Sequence, residues 1–191
     1  MARPRDDKKL NAIYRASLKL ILKAGFGGVK MNLVAKEAGI GTGTVYIYFK
    51  NKEALIRQLY RVIRRRSNVV LLTGHKPDES FMAGFRRVWR NYLRYRLGRP
   101  EVFAFLEQYY GSQFFDPSTT DRRDAWLSPI FELLDKGKSQ GLVAPIPTEL
   151  LVAQLTGTIN EIGKWHLEGR LQLDEKGFEY AYKMAWSSIR R

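Results

Sequence analysis

The 191-residue sequence has no cysteine, only two histidines and no apolar run long enough to span a bilayer. Without cysteine there are no disulfides, no thiolate nucleophile and none of the thiolate-based zinc designs, and such usage suits a reducing cytosol. His75 and His166 are the only imidazoles, and G-x-S-x-G, Walker-type and H-E-x-x-H patterns are all missing. No metal, no cofactor and no catalysis are therefore expected. The first ten residues, MARPRDDKKL, are charged where a signal peptide needs an apolar core. The chain is accordingly read as cytoplasmic, with no membrane partner.

Acidic residues are scarce in one region. Residues 1–76 hold 17 Lys and Arg against 4 Asp and Glu, while the formal net charge of the whole chain is +14. Nearly all of the excess sits in the first third, as expected of a polyanion-binding head on an almost neutral body. A basic face kept only for solubility would carry the same charge, so the motifs must separate the two readings.

What is present is helical periodicity, with no alternating strands or hairpin turns, and the fold class is all-α. The pattern predicts helices at about 8–24, 30–38, 42–48, 51–72, 78–97, 100–111, 119–138, 147–168 and 174–190, broken at glycine and proline clusters. Ile13, Ala16, Ser17, Leu20 and Ala24 mark the buried face of the first. Leu55, Leu59, Val62 and Val69 mark that of the fourth, which Asn51 can cap. The expected division is a head at 1–51, a connecting helix at 52–76 and a body at 77–191.

The informative stretch is LVAKEAGIGTGTVYIYFKNKEAL, residues 33–55. Two short helices flank Gly39, and Val34, Ala35, Ala38, Ile40 and Val45 are the small internal contacts that a helix-turn-helix requires. The second helix is the reading head. Its first turn, Thr42, Gly43 and Thr44, is small and polar enough to enter a major groove, while Tyr46, Ile47 and Tyr48 extend outward. Lys52 places a cation in the first turn of the next helix, against its macrodipole, and a DNA phosphate there would relieve that opposition. A simply solvated Lys52 is the competing reading.

These residues resemble the TetR (tetracycline repressor-like) family of bacterial regulators. Ala35, Ala38-Gly39-Ile40, Gly43-Thr44-Val45-Tyr46, Tyr48-Phe49 and Lys52-Glu53-Ala54-Leu55 stand at the family's spacings, and Ile13, Ala16, Leu18, Leu20 and Gly25-Phe26 fit its first helix. The close likeness covers residues 9–60. It departs at Gly41, where a polar cap is usual, and at Thr42, Ile47, Lys30 and Asn32, all of which bear on which DNA sequence is read. The resemblance implies a three-helix DNA-binding head, a larger helical ligand-binding and dimerisation body, and a ligand-responsive repressor on a palindromic double-stranded operator. It also implies that Thr44, Tyr46, Lys52 and Lys30 hold phosphates while Asn32, Thr42 and Gly43 face base edges.

For the body, the resemblance implies that the last two helices form a four-helix bundle with those of a second copy. Leu150, Leu151, Leu155, Ile159 and Ile162 on one helix, and Phe178, Tyr182, Ala185 and Ile189 on the other, are the candidate homodimer residues. Phe85, Trp89, Tyr92, Phe103, Tyr109, Tyr110, Trp126 and Trp165, with Asn160 as a polar anchor, are the candidates for contact with a small apolar or aromatic effector. Each of these stripes reads equally as plain core. A DNA-binding dimer without small-molecule control and a helical enzyme are the alternatives in function.

Overall fold

The head begins where Asp6 caps a helix, its carboxylate accepting the amide of Lys8 at 2.9 Å. The computed structural model describes residues 6–115 and 128–191. Among them run nine α-helices: α1 (Asp7–Ala24), α2 (Met31–Ala38), α3 (Thr42–Tyr48), α4 (Lys52–Leu71), α5 (Phe81–Gly98), α6 (Pro100–Tyr110), α7 (Ser128–Ser139), α8 (Thr148–Leu167) and α9 (Glu175–Ile189). One single-turn 3-10 segment lies at Phe26–Gly28. The only extended pairing among the described residues is an isolated antiparallel bridge between Val143 and Arg190.

The helices fall into two compact units that do not follow chain order. Among the described residues the first takes 6–63 together with 101–115, and the second takes 64–100 with 128–191. α4 is one continuous helix whose first three turns belong to the first unit and the remainder to the second.

In the first unit, α1 packs on α2 and α2 on α3. Ile13, Ile21, Val34, Ala35 and Val45 are fully enclosed, and Tyr14 meets the ring of Phe49 at 5.8 Å. A second, aromatic cluster brings α6 into this unit. Phe26 lies 6.1 Å from Phe105 and 5.2 Å from Phe114, and Tyr60 of α4 stacks on Tyr109 at 4.2 Å. Aromatic pairs at these separations add to the stabilisation from burial alone.

In the second unit α5 is central and touches α7, α8 and α9. Its N-cap is Ser80, and its inner face carries Phe81, Phe85, Val88, Trp89, Tyr92 and Leu93. Outside that core, Arg90 pairs with Glu175 of α9 at 2.7 Å and Arg86 with Glu179. The end of α4 is tied to α5. Arg87 and Asn91 both donate to the carbonyl oxygens of Leu71 and Thr73, which the helix itself leaves without acceptor duty.

Two expected faces were misplaced in part: Ala24, expected on the buried face of α1, is exposed. Val69 is 68% exposed, and the buried stripe of α4 runs instead through Leu55, Ile56, Leu59, Tyr60, Ile63, Ser67 and Leu71. At 3.6 residues per turn Val69, 14 positions after Leu55, falls about 40° to one side of it, whereas Ile56, Tyr60, Ile63, Ser67 and Leu71 fall on the other.

Candidate nucleic-acid interface

Gly39 closes α2 in the left-handed region, φ +67°, where a side chain would be strained. Its amide donates to the carbonyl of Lys36, and the Ile40 amide to that of Ala35. The turn is thereby fixed, and α3 emerges from it with an extended Gly41 at its N-cap and no side-chain capping bond. Val45 and Phe49 anchor α3 inward. On the outer side Thr42, Gly43, Tyr46 and Ile47 are exposed, Ile47 at 72%, and Thr44 is half-buried.

An exposed Gly–Thr–Tyr–Ile surface on a seven-residue helix has no folding rationale. A Cβ at Gly43 would meet nothing within 4 Å, and the residue has an ordinary helical backbone. Glycine there costs helix stability relative to alanine and relieves no crowding within the chain. The room it leaves suits a partner that approaches the backbone closely.

Lys30 precedes α2 and is exposed, as is Asn32 on its first turn, where the side-chain oxygen accepts the amide of Leu33 at 2.9 Å. At the start of α4, Asn51 caps as expected, its oxygen accepting the Ala54 amide at 2.8 Å. Lys52 is half-buried, and its ammonium lies 5.9 Å from the centre of the Phe114 ring, at the outer reach of a cation–π contact. The ring gives the ammonium a resting place that neither reading of Lys52 foresees. Lys36 and Lys50 are also exposed on this unit.

Tyr48, expected to point outward with Tyr46 and Ile47, has another job. Its hydroxyl accepts the Asp6 amide at 2.9 Å and faces the Asp6 carbonyl at 3.3 Å, bracing the end of α3 against the start of α1. No local pattern marks a bond across 42 residues, and only the fold exposes it.

The body candidates separate into groups. Phe85, Trp89 and Tyr92 line one small cavity with Val88, Ile130, Leu133, Leu155 and Ile159. Its volume is about 10 Å³, the lower limit for one water molecule. Tyr92 donates to Asn160 at 3.4 Å. Phe103, Tyr109 and Tyr110 lie on α6 in the first unit, away from that set in the division of the chain. Trp165 is 40% exposed, its indole donating to Glu161 at 2.7 Å and its face covered by Arg170. Trp126 lies outside the described residues.

The candidate dimer residues change place as well. Leu151, Leu155, Ile159, Tyr182, Ala185 and Ile189 are buried in the chain's own core, and Ile162 and Phe178 are half-buried. The large apolar side chains left outside are Leu150, at 61%, Trp165 and Leu167 on α8, and Tyr180 and Met184 on α9. Both sides of α8 are apolar, so periodicity alone could not say which was inner.

Among the described residues no helix is long and apolar enough to cross a membrane, and no group of three or more His, Asp or Glu could hold a metal ion.

Residues 13–59 match the family model described as bacterial regulatory proteins, tetR family, and residues 81–190 match the tetracyclin repressor-like C-terminal domain. An HTH-type transcriptional regulator of Haemophilus influenzae is 29% identical over 97 residues, so that the match spans about half of either chain, 51% and 52%. The HTH-type regulator YdeS of Bacillus subtilis is 37% identical over 147 residues, covering 73% of this chain and 69% of its own. A TetR family transcription regulator from Marinobacter aquaeolei superposes with a TM-score of 0.90 at 28% identity, with 99% of both chains covered.

Proposed function

Because this chain belongs to the TetR family and is a helix-turn-helix transcriptional regulator, we propose that it represses transcription from a palindromic operator, binds there as a homodimer, and is released by a small apolar molecule. The observation that carries the DNA half is the outward face of α3, where an uncrowded Gly43 sits beside exposed Thr42, Tyr46 and Ile47. Thr42, Gly43 and Asn32 are assigned to base edges, with Ile47 offering an apolar contact to a thymine methyl. Thr44, Tyr46, Lys30 and Lys52 are assigned to phosphates. A phosphate at the start of α4 would draw Lys52 off the Phe114 ring and meet first-turn amides that have no intrahelical carbonyl. A chromosomal target places this work in the cytoplasm.

The partner in the dimer is a second copy, joined through the outer faces of α8 and α9, where Leu150, Tyr180 and Met184 are left exposed. Control is assigned to α4, which contributes to both units. Ligand in the second unit would favour an α4 position that moves the paired recognition helices off the roughly 34 Å spacing of one turn of B-DNA.

The test is a gel shift and salt titration on promoter fragments selected by the purified protein. Lys52→Ala should weaken binding to every sequence and lower the salt slope by about one counterion, whereas Thr42→Ala should mainly alter base preference. Changed preference at unchanged affinity for Lys52→Ala would remove the phosphate assignment. A second reading, a DNA-binding dimer without ligand control, is favoured by one observation, the small size of that cavity, about 10 Å³. It predicts a gel shift that no small molecule relieves.

A further inference from the structure

Tyr48 commits both capacities of its hydroxyl to the backbone of one residue. It accepts the Asp6 amide at 2.9 Å and donates to the Asp6 carbonyl oxygen at 3.3 Å. The cap of α1 does not need these bonds. The Asp6 carboxylate already accepts the amides of Lys8 and Lys9, and its carbonyl oxygen already accepts the Leu10 amide at 3.0 Å. The joint between α3 and α1 has other support as well, since the buried rings of Phe49 and Tyr14 meet there at 5.8 Å. A phenylalanine at position 48 would keep the ring and lose only the clamp. What the clamp fixes is the point at which residues 2–5 join α1.

That point lies on a particular side of α3. Thr44 and Tyr48 are one turn apart and share a flank of the helix. Thr44 is the residue assigned to a phosphate, so Arg5 is bonded to a residue held on the phosphate side of the reading helix. The charge pattern agrees. The first turn of α1 is balanced, Asp6 and Asp7 against Lys8 and Lys9, whereas residues 2–5 carry Arg3 and Arg5 and no acid. Guanidinium groups match phosphate oxygens in geometry as well as in charge.

We propose that Tyr48 is a positioning residue for DNA binding: its clamp on Asp6 delivers Arg3 and Arg5 to the DNA backbone beside α3, adding two phosphate contacts per protomer. This assignment rests on the DNA-binding reading and adds to it two cations outside the helix-turn-helix.

Salt titrations of the full-length protein test it, on a promoter fragment selected by the wild type and on a shuffled duplex of equal length. Arg3→Ala combined with Arg5→Ala should weaken binding to both duplexes about ten-fold and lower the salt slope by about two per protomer. Unchanged affinity and slope, or a change confined to one duplex, would overturn the proposal. Tyr48→Phe should lower the slope in the same direction. It should add nothing once both arginines are gone, yet add in full to Lys52→Ala. An equal loss with and without the arginines would show that the hydroxyl acts on α3 alone, and would also overturn it. If Tyr48→Phe fails to fold, two glycines inserted between residues 5 and 6 serve instead, because they keep both arginines, the clamp and the cap while shifting the arginines from their anchored register. The insertion should lower affinity and slope, and wild-type binding would remove the positioning role. Lys52→Ala separates the two levels: if it weakens binding and the arginine pair does not, only this proposal falls, whereas a wild type that binds neither duplex ends the DNA-binding reading itself.

Discussion

Gly43 is the residue whose chemistry is easiest to separate from folding. Replacing it by alanine adds a Cβ into open space and removes a helix-weakening residue, so Gly43→Ala should stabilise the chain by up to about 1 kcal/mol while weakening operator binding. Thermal unfolding and gel shifts measured on the same preparation check this, and a variant gaining both stability and affinity would end the close-approach argument. Glu79 is the opposite kind of residue, half-buried in a charge cluster of the second unit. Hydrogen bonding to Arg87, then to His75, outweighs its burial and holds its carboxyl at about 2, against an ordinary 4.5. A depressed pKa stabilises the fold in full above about pH 4.5, and that contribution fades as the pH falls from 4.5 towards 2. Glu79→Gln should lose most of it at neutral pH and flatten the acid limb of a chemical-denaturation series. The helix-turn-helix was legible in the sequence because small residues at fixed offsets from a turn glycine have few other uses. The roles of Tyr48 and of the Glu79 cluster were not, since each depends on groups that only the folded chain brings together.

At the scale of elements, α7 is held where no side chain larger than hydrogen fits. Gly137 sits against the ring of Phe81 and would place a Cβ 2.6 Å from a methyl of Val143. Gly137→Ala should therefore cost about 1–3 kcal/mol through forced displacement, despite improving helix propensity. A denaturation midpoint equal to that of the wild type would show that α7 slides without cost. The helices themselves were readable: the expected 42–48 is Thr42–Tyr48, and 147–168 is Thr148–Leu167, because glycine, proline and Asn51 punctuate them. Their orientation was less so. On α8, Leu150 and Leu151 are adjacent and equally apolar, and it takes the packing of α5 and α7 to decide that Leu151 turns inward. Periodicity also gave no sign that α6, with Phe103 and Tyr109, would join α1 and α4 in one unit, since its apolar face suits any neighbour.

For the whole molecule, the two sides of α8 make opposite predictions. Leu150→Glu combined with Met184→Glu should turn a dimer into a monomer in sedimentation at micromolar concentration, with little change in the stability of the protomer, and should abolish tight operator binding. Leu151→Ala should instead destabilise each protomer by about 2–5 kcal/mol and affect association only through that loss. If the double variant remains dimeric, the contact lies elsewhere on the surface. The sharing of α4 between units gives the reciprocal expectation that operator DNA weakens effector binding by the same factor as effector weakens DNA binding, commonly about 5-fold to 150-fold. Isothermal titration of effector with and without operator measures it, and unequal factors would mean that the two titrations are not reporting one coupled equilibrium.

The return of α6 to the first unit also sets an order of events during synthesis. Phe26 finds Phe105 and Phe114, and Tyr60 finds Tyr109, only after the intervening span from 64 to 100 has left the ribosome, so the DNA-reading part cannot complete its aromatic core while it is the only part made. Closing a span of that length carries an entropic cost that grows slowly with its size, and pre-forming α5 within it would shorten the effective distance. A nascent chain stalled with residue 76 just emerged should therefore be readily cleaved by protease, and one stalled beyond residue 115 should be protected, with protection arriving in a single late step.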